Sequence, residues 1–182
     1  MRYPLKGLMF GWLAAAVTVH AATSSVAVDK VGIEDADTLL VDVAGTAYRI
    51  QLPDIDAPES VPNPKLQRDV ERTGLSAEAL TALGRAADAA VEAMLSAGSG
   101  HRLQFDPQVR DKYGRTPGDL LLSDGSRLSM QLVEQGYAIP LPVADASRRD
   151  ALDAAMHAAR AAGRGLWGAD SANFSTWAGR AP

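Results

Sequence analysis

The chain contains no cysteine, so neither a disulfide nor a thiolate metal site can stabilise it. Histidine is nearly as scarce, because three occur in 182 residues and His20 lies in an N-terminal segment that we expect to be removed. A zinc site built on several histidine ligands is therefore excluded. The chain left after that removal is long enough for one domain, which must be stabilised by the packing of its own core.

Positive charge and aromatic side chains are also in short supply. There are 18 lysines and arginines against 22 acidic residues, which gives a formal net charge of -4, and aromatic residues make up 5%. A net acidic protein gains no broad electrostatic attraction to nucleic acid, and few aromatic side chains leave few platforms for stacking bases. This composition argues against a tight non-specific DNA-binding protein, but it allows an enzyme with one local basic site.

The one pronounced apolar run lies at the N-terminus. Arg2 and Lys6 precede the run, which comprises residues 7–19, and a site suited to cleavage follows at Ala21. The run is too short to span a bilayer comfortably, and the pattern is typical of a signal peptide over residues 1–21. The alternative is an uncleaved membrane anchor. We expect an exported protein, periplasmic or secreted, with no stable membrane association after cleavage.

Short β-rich segments and a few amphipathic helices predict the fold. Strands are predicted over residues 26–33, 38–43, 46–52, 101–105 and 118–122, and helices over residues 76–98, 128–135 and 147–162, with a long loop over residues 53–74. This order favours an α+β fold, mainly β, of the five-stranded OB-fold barrel type with about three helices. The domain is expected over residues 24–170, followed by a C-terminal tail over residues 171–182.

Four segments carry residues suited to chemistry: Asp35-Ala36-Asp37-Thr38, Asp54-Ile55-Asp56-Ala57-Pro58-Glu59, Asp111-Lys112-Tyr113-Gly114-Arg115 and Gly165-Leu166-Trp167. Folding could bring Asp37 beside Asp56, and clustered carboxylates repel each other unless a cation neutralises them. Such oxygen ligands suit Ca²⁺ or Mg²⁺. Glu59 could activate a water molecule, and Arg115 could hold a phosphate with its forked donors. Taken singly, each segment is more often an ordinary turn or a solvated loop than a functional site.

Together and in this order, the four segments resemble those of the staphylococcal nuclease (thermonuclease) family. They cover nearly the whole chain after the signal peptide, and residues 55–59 and 111–115 are the most specific. The resemblance implies a monomeric, Ca²⁺-dependent nuclease with an OB-fold. Such enzymes cut DNA and RNA by attack of water on phosphorus and leave 3′-phosphates, and we expect single strands to be the preferred substrate.

The resemblance also implies a metal site. Asp37 and Asp56 match the aspartates that bind calcium, and Ala57 stands where a backbone carbonyl completes the coordination. Asp35 matches an acid that lies behind these ligands.

Further roles concern the substrate. Glu59 matches the glutamate usually assigned as the general base, and Arg115 matches an arginine that contacts the phosphate. Tyr113 matches a tyrosine beside the phosphate site, and we include its neighbour Lys112 as a further substrate contact.

One position departs from the family pattern. Gln51 stands five residues before Asp56, where the family carries an arginine. Glutamine offers a neutral amide without the charge or the fork, and losing one charged transition-state donor commonly costs about 10²- to 10³-fold in rate. Arg49 lies on the same strand face and could reach the phosphate from about 7 Å further along. The alternative, which we favour, is that Arg49 is an exposed strand residue.

The stretch between Glu59 and Arg115 is also longer than the resemblance leads us to expect. The extra residues fall at about 62–73, which contain the basic residues Lys65, Arg68 and Arg72 and the acidic residues Asp69 and Glu71. This stretch is either a substrate-binding loop or a solvated one, and we favour the second.

Three functions remain open on this basis. The first is a nuclease weakened by Gln51. The second is a catalytically degenerate module that binds nucleic acid or a protein partner, as other OB-folds do. The third is a carboxylate cluster that binds Ca²⁺ only to stabilise the fold.

Overall fold

A computed structural model describes residues 25–179. The strands are β1 (Ser25–Ala27), β2 (Lys30–Asp35), β3 (Thr38–Val43), β4 (Thr46–Gln51), β5 (Ile55–Asp56), β6 (Arg102–Phe105), β7 (Thr116–Leu121) and β8 (Ile139–Pro140). The helices are α1 (Pro64–Thr73), α2 (Ala77–Ser96), α3 (Leu128–Glu134), α4 (Ala146–Ala161), α5 (Leu166–Ala169) and α6 (Ser171–Trp177). None of the helices within this range is long and apolar enough to cross a membrane. The signal peptide predicted over residues 1–21 lies outside the described residues.

The larger sheet has the strand order β1-β6-β7-β4-β3-β2, and its neighbours are antiparallel except for the parallel pair β4 and β7. Only Val28 and Asp29 separate the two edge strands along the chain. Six strands in a flat sheet would span about 24 Å, whereas the chain from Ala27 to Lys30 reaches about 10 Å. The sheet must therefore curl until its two edges lie close together.

The predicted α+β class is confirmed, but the predicted strand count is wrong. The single first strand is divided into β1 and β2 at Val28 and Asp29, and each part pairs with a different partner, β6 or β3. The short strand β5 pairs with β8 in a separate two-stranded sheet. The hydrogen-bonded order of the larger sheet has two ends, so it does not by itself show a closed barrel.

Helix α2 covers part of the core and follows its predicted pattern. The Ser76 side chain accepts a hydrogen bond from the Ala79 N–H at 3.1 Å and so caps the helix. The apolar side chains at helical spacing are buried at Leu80, Leu83, Ala87 and Val91 and partly buried at Met94. Because the apolar positions recur every three or four residues over a long helix, this element was predictable from periodicity alone.

The predicted long loop over residues 53–74 is wrong in its second half, which forms α1. The Asn63 side chain accepts hydrogen bonds from the N–H groups of Lys65 and Leu66, Pro64 occupies the first turn, and Gly74 ends the helix with a φ of 72°. Leu66 is the buried apolar residue of this mostly polar helix. Its weak apolar pattern explains why periodicity did not reveal it.

The C-terminal segment predicted as a tail contains α6, which packs into the core. Phe174 and Trp177 are buried, and the Trp177 indole N–H donates to Asp69 Oδ2 of α1 at 3.0 Å. Helix α6 therefore holds α1 in place. The nearby Gly165-Leu166-Trp167 segment also has a visible packing role, since a Cβ at Gly165 would lie 2.3 Å from the Gln135 carbonyl oxygen.

Candidate active site

The register of the sheet places three of the predicted site segments together. Thr38 pairs with Gln51 across β3 and β4, and Gln51 pairs with Pro117 across β4 and β7. Asp37 directly precedes Thr38, and Arg115 directly precedes β7. The chain then turns after β4, where the Leu52 N–H donates to the Asp37 carbonyl oxygen at 2.8 Å, and returns as β5 with Asp56. Long-range pairing therefore brings together residues that are far apart in sequence.

Two adjoining pockets collect the predicted site residues. The first has a volume of about 230 Å³, and among its lining residues are Asp37, Gln51, Asp56, Glu59, Lys65 and Arg115. The second has a volume of about 350 Å³, and it shares Glu59, Lys65 and Arg115 with the first while adding Asp35, Arg49, Arg68 and Tyr113. The predicted substrate contact Lys112 lines neither pocket, and its ammonium lies 5.0 Å from the centre of the Tyr113 ring.

Asp37 connects two parts of the predicted metal site. Its side chain is buried; Oδ2 accepts a hydrogen bond from the Ala57 N–H at 3.0 Å, and Oδ1 accepts one from the Thr38 hydroxyl at 3.0 Å. The first of these bonds places the backbone of Asp56 and Ala57 beside Asp37. Asp37, Asp56 and the Ala57 carbonyl thus lie in one small region.

Lys65 is the site residue that the sequence did not reveal. Its Nζ lies 2.9 Å from Asp56 Oδ1, 2.6 Å from Glu59 Oε1 and 2.8 Å from the Ala57 carbonyl oxygen. The prediction that residues 62–73 are solvated is therefore wrong for this side chain. Burial alone would lower the pKa of Lys65, but the charges of Asp56 and Glu59 outweigh it and raise the pKa above its ordinary value.

The donor set suits a hard divalent cation. Carboxylates and a backbone carbonyl are the ligands that Ca²⁺ prefers, and the ammonium of Lys65 shows that three of these oxygens face one point. Within residues 25–179, no three acidic or histidine side chains are grouped so as to hold a metal by themselves. The set can therefore hold Ca²⁺ only if the Ala57 carbonyl is one of the ligands and Lys65 moves away.

Glu59 is fixed from several sides. The residue is only 5% exposed, and its carboxylate accepts hydrogen bonds from the Asn63 side-chain amide and from Lys65. Its backbone packs against α2 at Gly84, where a Cβ would lie 2.3 Å from the Glu59 carbonyl carbon and oxygen. The absence of a side chain at residue 84 therefore permits the position of Glu59.

A compact turn formed by residues 111–115 presents Arg115. The Asp111 carboxylate accepts hydrogen bonds from the N–H groups of Tyr113 and Arg115, at 2.8 and 2.9 Å, and from Arg115 Nε at 2.8 Å. Slight burial acts against these bonds, but the bonds prevail and lower the pKa of Asp111. Arg115 also donates from Nη1 to the Thr38 hydroxyl at 3.3 Å, and its guanidinium lies 5.3 Å from the Tyr113 ring centre.

Gln51 and Arg49 differ in their surroundings. The Gln51 side chain accepts from the Thr38 hydroxyl at 3.3 Å and donates to the Leu52 carbonyl at 3.2 Å, at the wall of the first pocket. Arg49 is 41% exposed and forms a two-bond ion pair with Glu34, at the rim of the second pocket. Arg49 is thus exposed and already paired, although it lines the same pocket as Arg115.

The acids near Asp37 and Glu59 are short of positive charge. Burial, followed by repulsion from Asp37 and Glu59, raises the pKa of Asp35 to about 8. Burial also raises the pKa of Asp56, although Lys65 opposes this effect, and burial raises the pKa of Asp88. The Oδ1 atoms of Asp35 and Asp88 are buried without a hydrogen-bond partner among the described residues. This cluster would therefore gain from a further cation.

Comparison with known proteins agrees with this geometry. The profile of the family described as staphylococcal nuclease homologue matches residues 49–169. The chain is 29% identical over 143 residues to endonuclease YhcR of Bacillus subtilis (strain 168), a match that covers 77% of this chain and 11% of that protein. It is 29% identical over 156 residues to the succinoglycan biosynthesis protein ExoI of Rhizobium meliloti (strain 1021), covering 85% and 72% respectively.

The profile covers most of the chain and includes Gln51, Asp56, Glu59 and Arg115, whereas Asp35 and Asp37 precede it. The chain therefore belongs to the family of staphylococcal nuclease homologues.

Proposed function

We propose that the protein is an exported, Ca²⁺-dependent nuclease that hydrolyses phosphodiester bonds of DNA and RNA, with a rate reduced by Gln51. The observation that carries this proposal is the position of Glu59, whose buried carboxylate shares one pocket with Asp37, Asp56 and Arg115. Membership of the nuclease family supports it, as does the printed name of one relative, an endonuclease.

Each group has a task in this reaction. Arg115 binds a phosphate oxygen with its guanidinium, and the turn held by Asp111 orients it. Glu59 accepts the proton of the attacking water, and the Asn63 amide orients its carboxylate. Ca²⁺, held by Asp37, Asp56 and the Ala57 carbonyl, would supply a fixed positive charge that stabilises the developing phosphoryl charge.

Gln51 sets the expected rate. Its amide is neutral, and it already bonds to Thr38 and to the Leu52 carbonyl. We therefore expect Gln51→Arg to raise cleavage by about 10²- to 10³-fold, the usual effect of one charged transition-state donor. An unchanged or lower rate in this variant would show that residue 51 does not limit the reaction.

The direct test is digestion of single-stranded DNA and of RNA with Ca²⁺ and with a chelator. Glu59→Gln is expected to abolish most of the Ca²⁺-dependent cleavage, because a neutral amide cannot accept the proton. Glu92→Gln, an exposed position on α2, makes the same change in charge and should retain full activity. A Glu59→Gln variant that cuts as fast as the wild type would remove Glu59 from the mechanism.

A second candidate function is binding of nucleic acid or a protein partner without cleavage. It is favoured by one observation, that the neutral Gln51 stands in the pocket while Arg49 is paired with Glu34. If the wild type cuts nothing but Gln51→Arg cuts in the presence of Ca²⁺, the binding function is correct and one position silences the site. Metal-dependent turnover well above that of Glu59→Gln would reject it.

Export and oligomeric state complete the proposal. Residues 1–21 would direct the chain out of the cytoplasm, after which it would act as a monomer in the periplasm or medium. Fractionation of the native cells and N-terminal sequencing should recover a chain that starts at Ala22. A full-length chain in the membrane fraction would favour the uncleaved anchor instead.

A further inference from the structure

The ammonium of Lys65 contacts two oxygens that are proposed to bind calcium and the carboxylate of the proposed general base. It contacts Asp56 Oδ1 at 2.9 Å, the Ala57 carbonyl at 2.8 Å and Glu59 Oε1 at 2.6 Å. Calcium in proteins lies about 2.3–2.6 Å from its oxygen ligands. A calcium ion and the ammonium therefore cannot both contact Asp56 Oδ1 and the Ala57 carbonyl oxygen at the same time.

Strong electrostatic forces keep Lys65 in this place. Asp56 and Glu59 bond to it directly, and Asp37, which is 6% exposed, bonds to the N–H of the same Ala57 whose carbonyl contacts Nζ. Carboxylates this close repel one another and are costly to bury without a cation. A lysine on a neighbouring helix supplies that cation from within the chain.

The Lys65 side chain can move while helix α1 stays in place. Helix α1 is held by the Asn63 cap at its start and by the Asp69–Trp177 hydrogen bond, neither of which involves the Lys65 ammonium. The lysine stem is flexible and its ammonium is a compact charge. Its side chain is 31% exposed and also lines the second pocket, of about 350 Å³, which gives the ammonium room to withdraw.

We propose that Lys65 is a tethered cation that competes with Ca²⁺ for Asp56 Oδ1 and the Ala57 carbonyl oxygen, so that calcium binds only when Lys65 withdraws. This inference rests on the calcium site of the proposed function, but it concerns affinity and not turnover. It implies that Lys65 stabilises the metal-free protein and weakens its apparent affinity for calcium. It also implies that withdrawal of Lys65 frees Glu59 for the reaction.

Calorimetric titration of the protein with Ca²⁺ tests the competition. If Lys65 occupies the oxygens in at least about 90% of molecules, Lys65→Met should bind Ca²⁺ at least about tenfold more tightly than the wild type. Lys30→Met removes the same charge from an exposed position on β2 and should change the affinity by less than about twofold. Lys65→Gln serves as a second, more polar variant. Equal or weaker affinity in the Lys65 variants, or no binding by them, would overturn the proposal.

The wild-type protein offers a test without substitution. Reductive methylation followed by mass spectrometry measures the reaction rate of each lysine ammonium with and without Ca²⁺. We expect Lys65 to react slowly in chelator and several-fold faster in saturating Ca²⁺, whereas Lys30 should react equally in both. A Lys65 rate that Ca²⁺ leaves unchanged or lowers would contradict its withdrawal.

These readouts separate the inference from the proposed function. Neither requires cleavage, so a protein that cuts nothing can still release Lys65 on binding Ca²⁺, and the inference would stand while the nuclease proposal fails. In the opposite case, cleavage that depends on Ca²⁺ and Glu59 would stand if Lys65→Met gains no affinity, and only the competition would be rejected.

Discussion

At the scale of single residues, the site depends on side chains that position other side chains. The Asn63 side chain has two tasks. Its Oδ1 accepts the hydrogen bonds that cap α1, and its Nδ2 donates to Glu59. Asp111 similarly orients Arg115 through both carboxylate oxygens. Neither role can be predicted from the motif alone, because each becomes visible only when the local turn is built.

Asn63→Ser separates the two tasks of this residue. Serine is a good N-cap, so the free energy of unfolding should change by less than about 1 kcal/mol, but its short side chain cannot reach Glu59. We expect kcat to fall about 10- to 10²-fold with little change in KM, because a hydrogen bond to a charged group contributes about 1.5–3 kcal/mol. Asn63→Ala should lose the same activity and also stability. An Asn63→Ser enzyme with wild-type kcat would show that the amide does not orient Glu59.

The raised pKa of Asp88 makes stability depend on pH. Burial is its largest cause, and the folded protein therefore holds the proton more tightly than the unfolded chain. The contribution of this group to folding stability is largest below the pKa of the unfolded chain, near 4. It declines as pH rises from there through the higher pKa of the folded protein.

Asp88→Asn should remove this decline, so that the free energy of unfolding of the variant rises relative to that of the wild type between pH 4 and pH 7. Urea unfolding in chelator at both pH values measures the difference, with Asp153→Asn on α4 as a control outside the site. A gain that is the same at both pH values would contradict a titration at Asp88.

At the scale of elements, two helices explain where sequence reasoning succeeds and where it stops. Helix α2 was predictable because its apolar stripe extends over a long periodic segment with a serine cap. Helix α1 was not, since Leu66 and Val70 are its few apolar side chains and the Asp69–Trp177 bond that joins it to α6 is a tertiary contact. Tertiary contacts of this kind leave no local pattern, and for that reason Lys65 was also missed.

Two tryptophans provide a matched pair for testing how α6 holds α1. Trp177→Phe keeps an aromatic ring but leaves the buried Asp69 oxygen without its donor, which should cost about 1–3 kcal/mol of unfolding free energy. Trp167→Phe removes an indole N–H that is buried without a partner among the described residues, so its cost should be smaller. Denaturant unfolding of both variants measures the difference. Equal costs would show that the Asp69–Trp177 bond contributes nothing particular to α1.

Close packing between α2 and the site predicts a large effect at Gly84. A methyl group there would overlap the Glu59 carbonyl at 2.3 Å, so Gly84→Ala must displace the backbone that carries Glu59. We expect a loss of about 1–3 kcal/mol in stability together with a loss of Glu59-dependent cleavage. Gly45→Ala, at a surface turn with open space, serves as the control for activity. Full activity in Gly84→Ala would show that the site tolerates this displacement.

At the scale of the whole molecule, a curled sheet gathers distant motifs into one pair of pockets. The four motifs identified the family, and the first three placed Asp56, Glu59 and Arg115 in the site, because the chemistry there requires particular residue types at particular spacings. The motifs could not reveal which cation neutralises the acids, since that depends on where α1 packs. Lys112 belongs to a strong motif but lies outside both pockets, and its contact with substrate stays a prediction.

The most direct test of a weakened nuclease is the single-turnover rate of cleavage of single-stranded DNA at saturating Ca²⁺ and in chelator. We expect slow, Ca²⁺-dependent cleavage by the wild type, near-complete loss in Glu59→Gln, and a gain of about 10²- to 10³-fold in Gln51→Arg. Absence of Ca²⁺-dependent cleavage in both the wild type and Gln51→Arg would contradict the assignment of this site to phosphodiester hydrolysis.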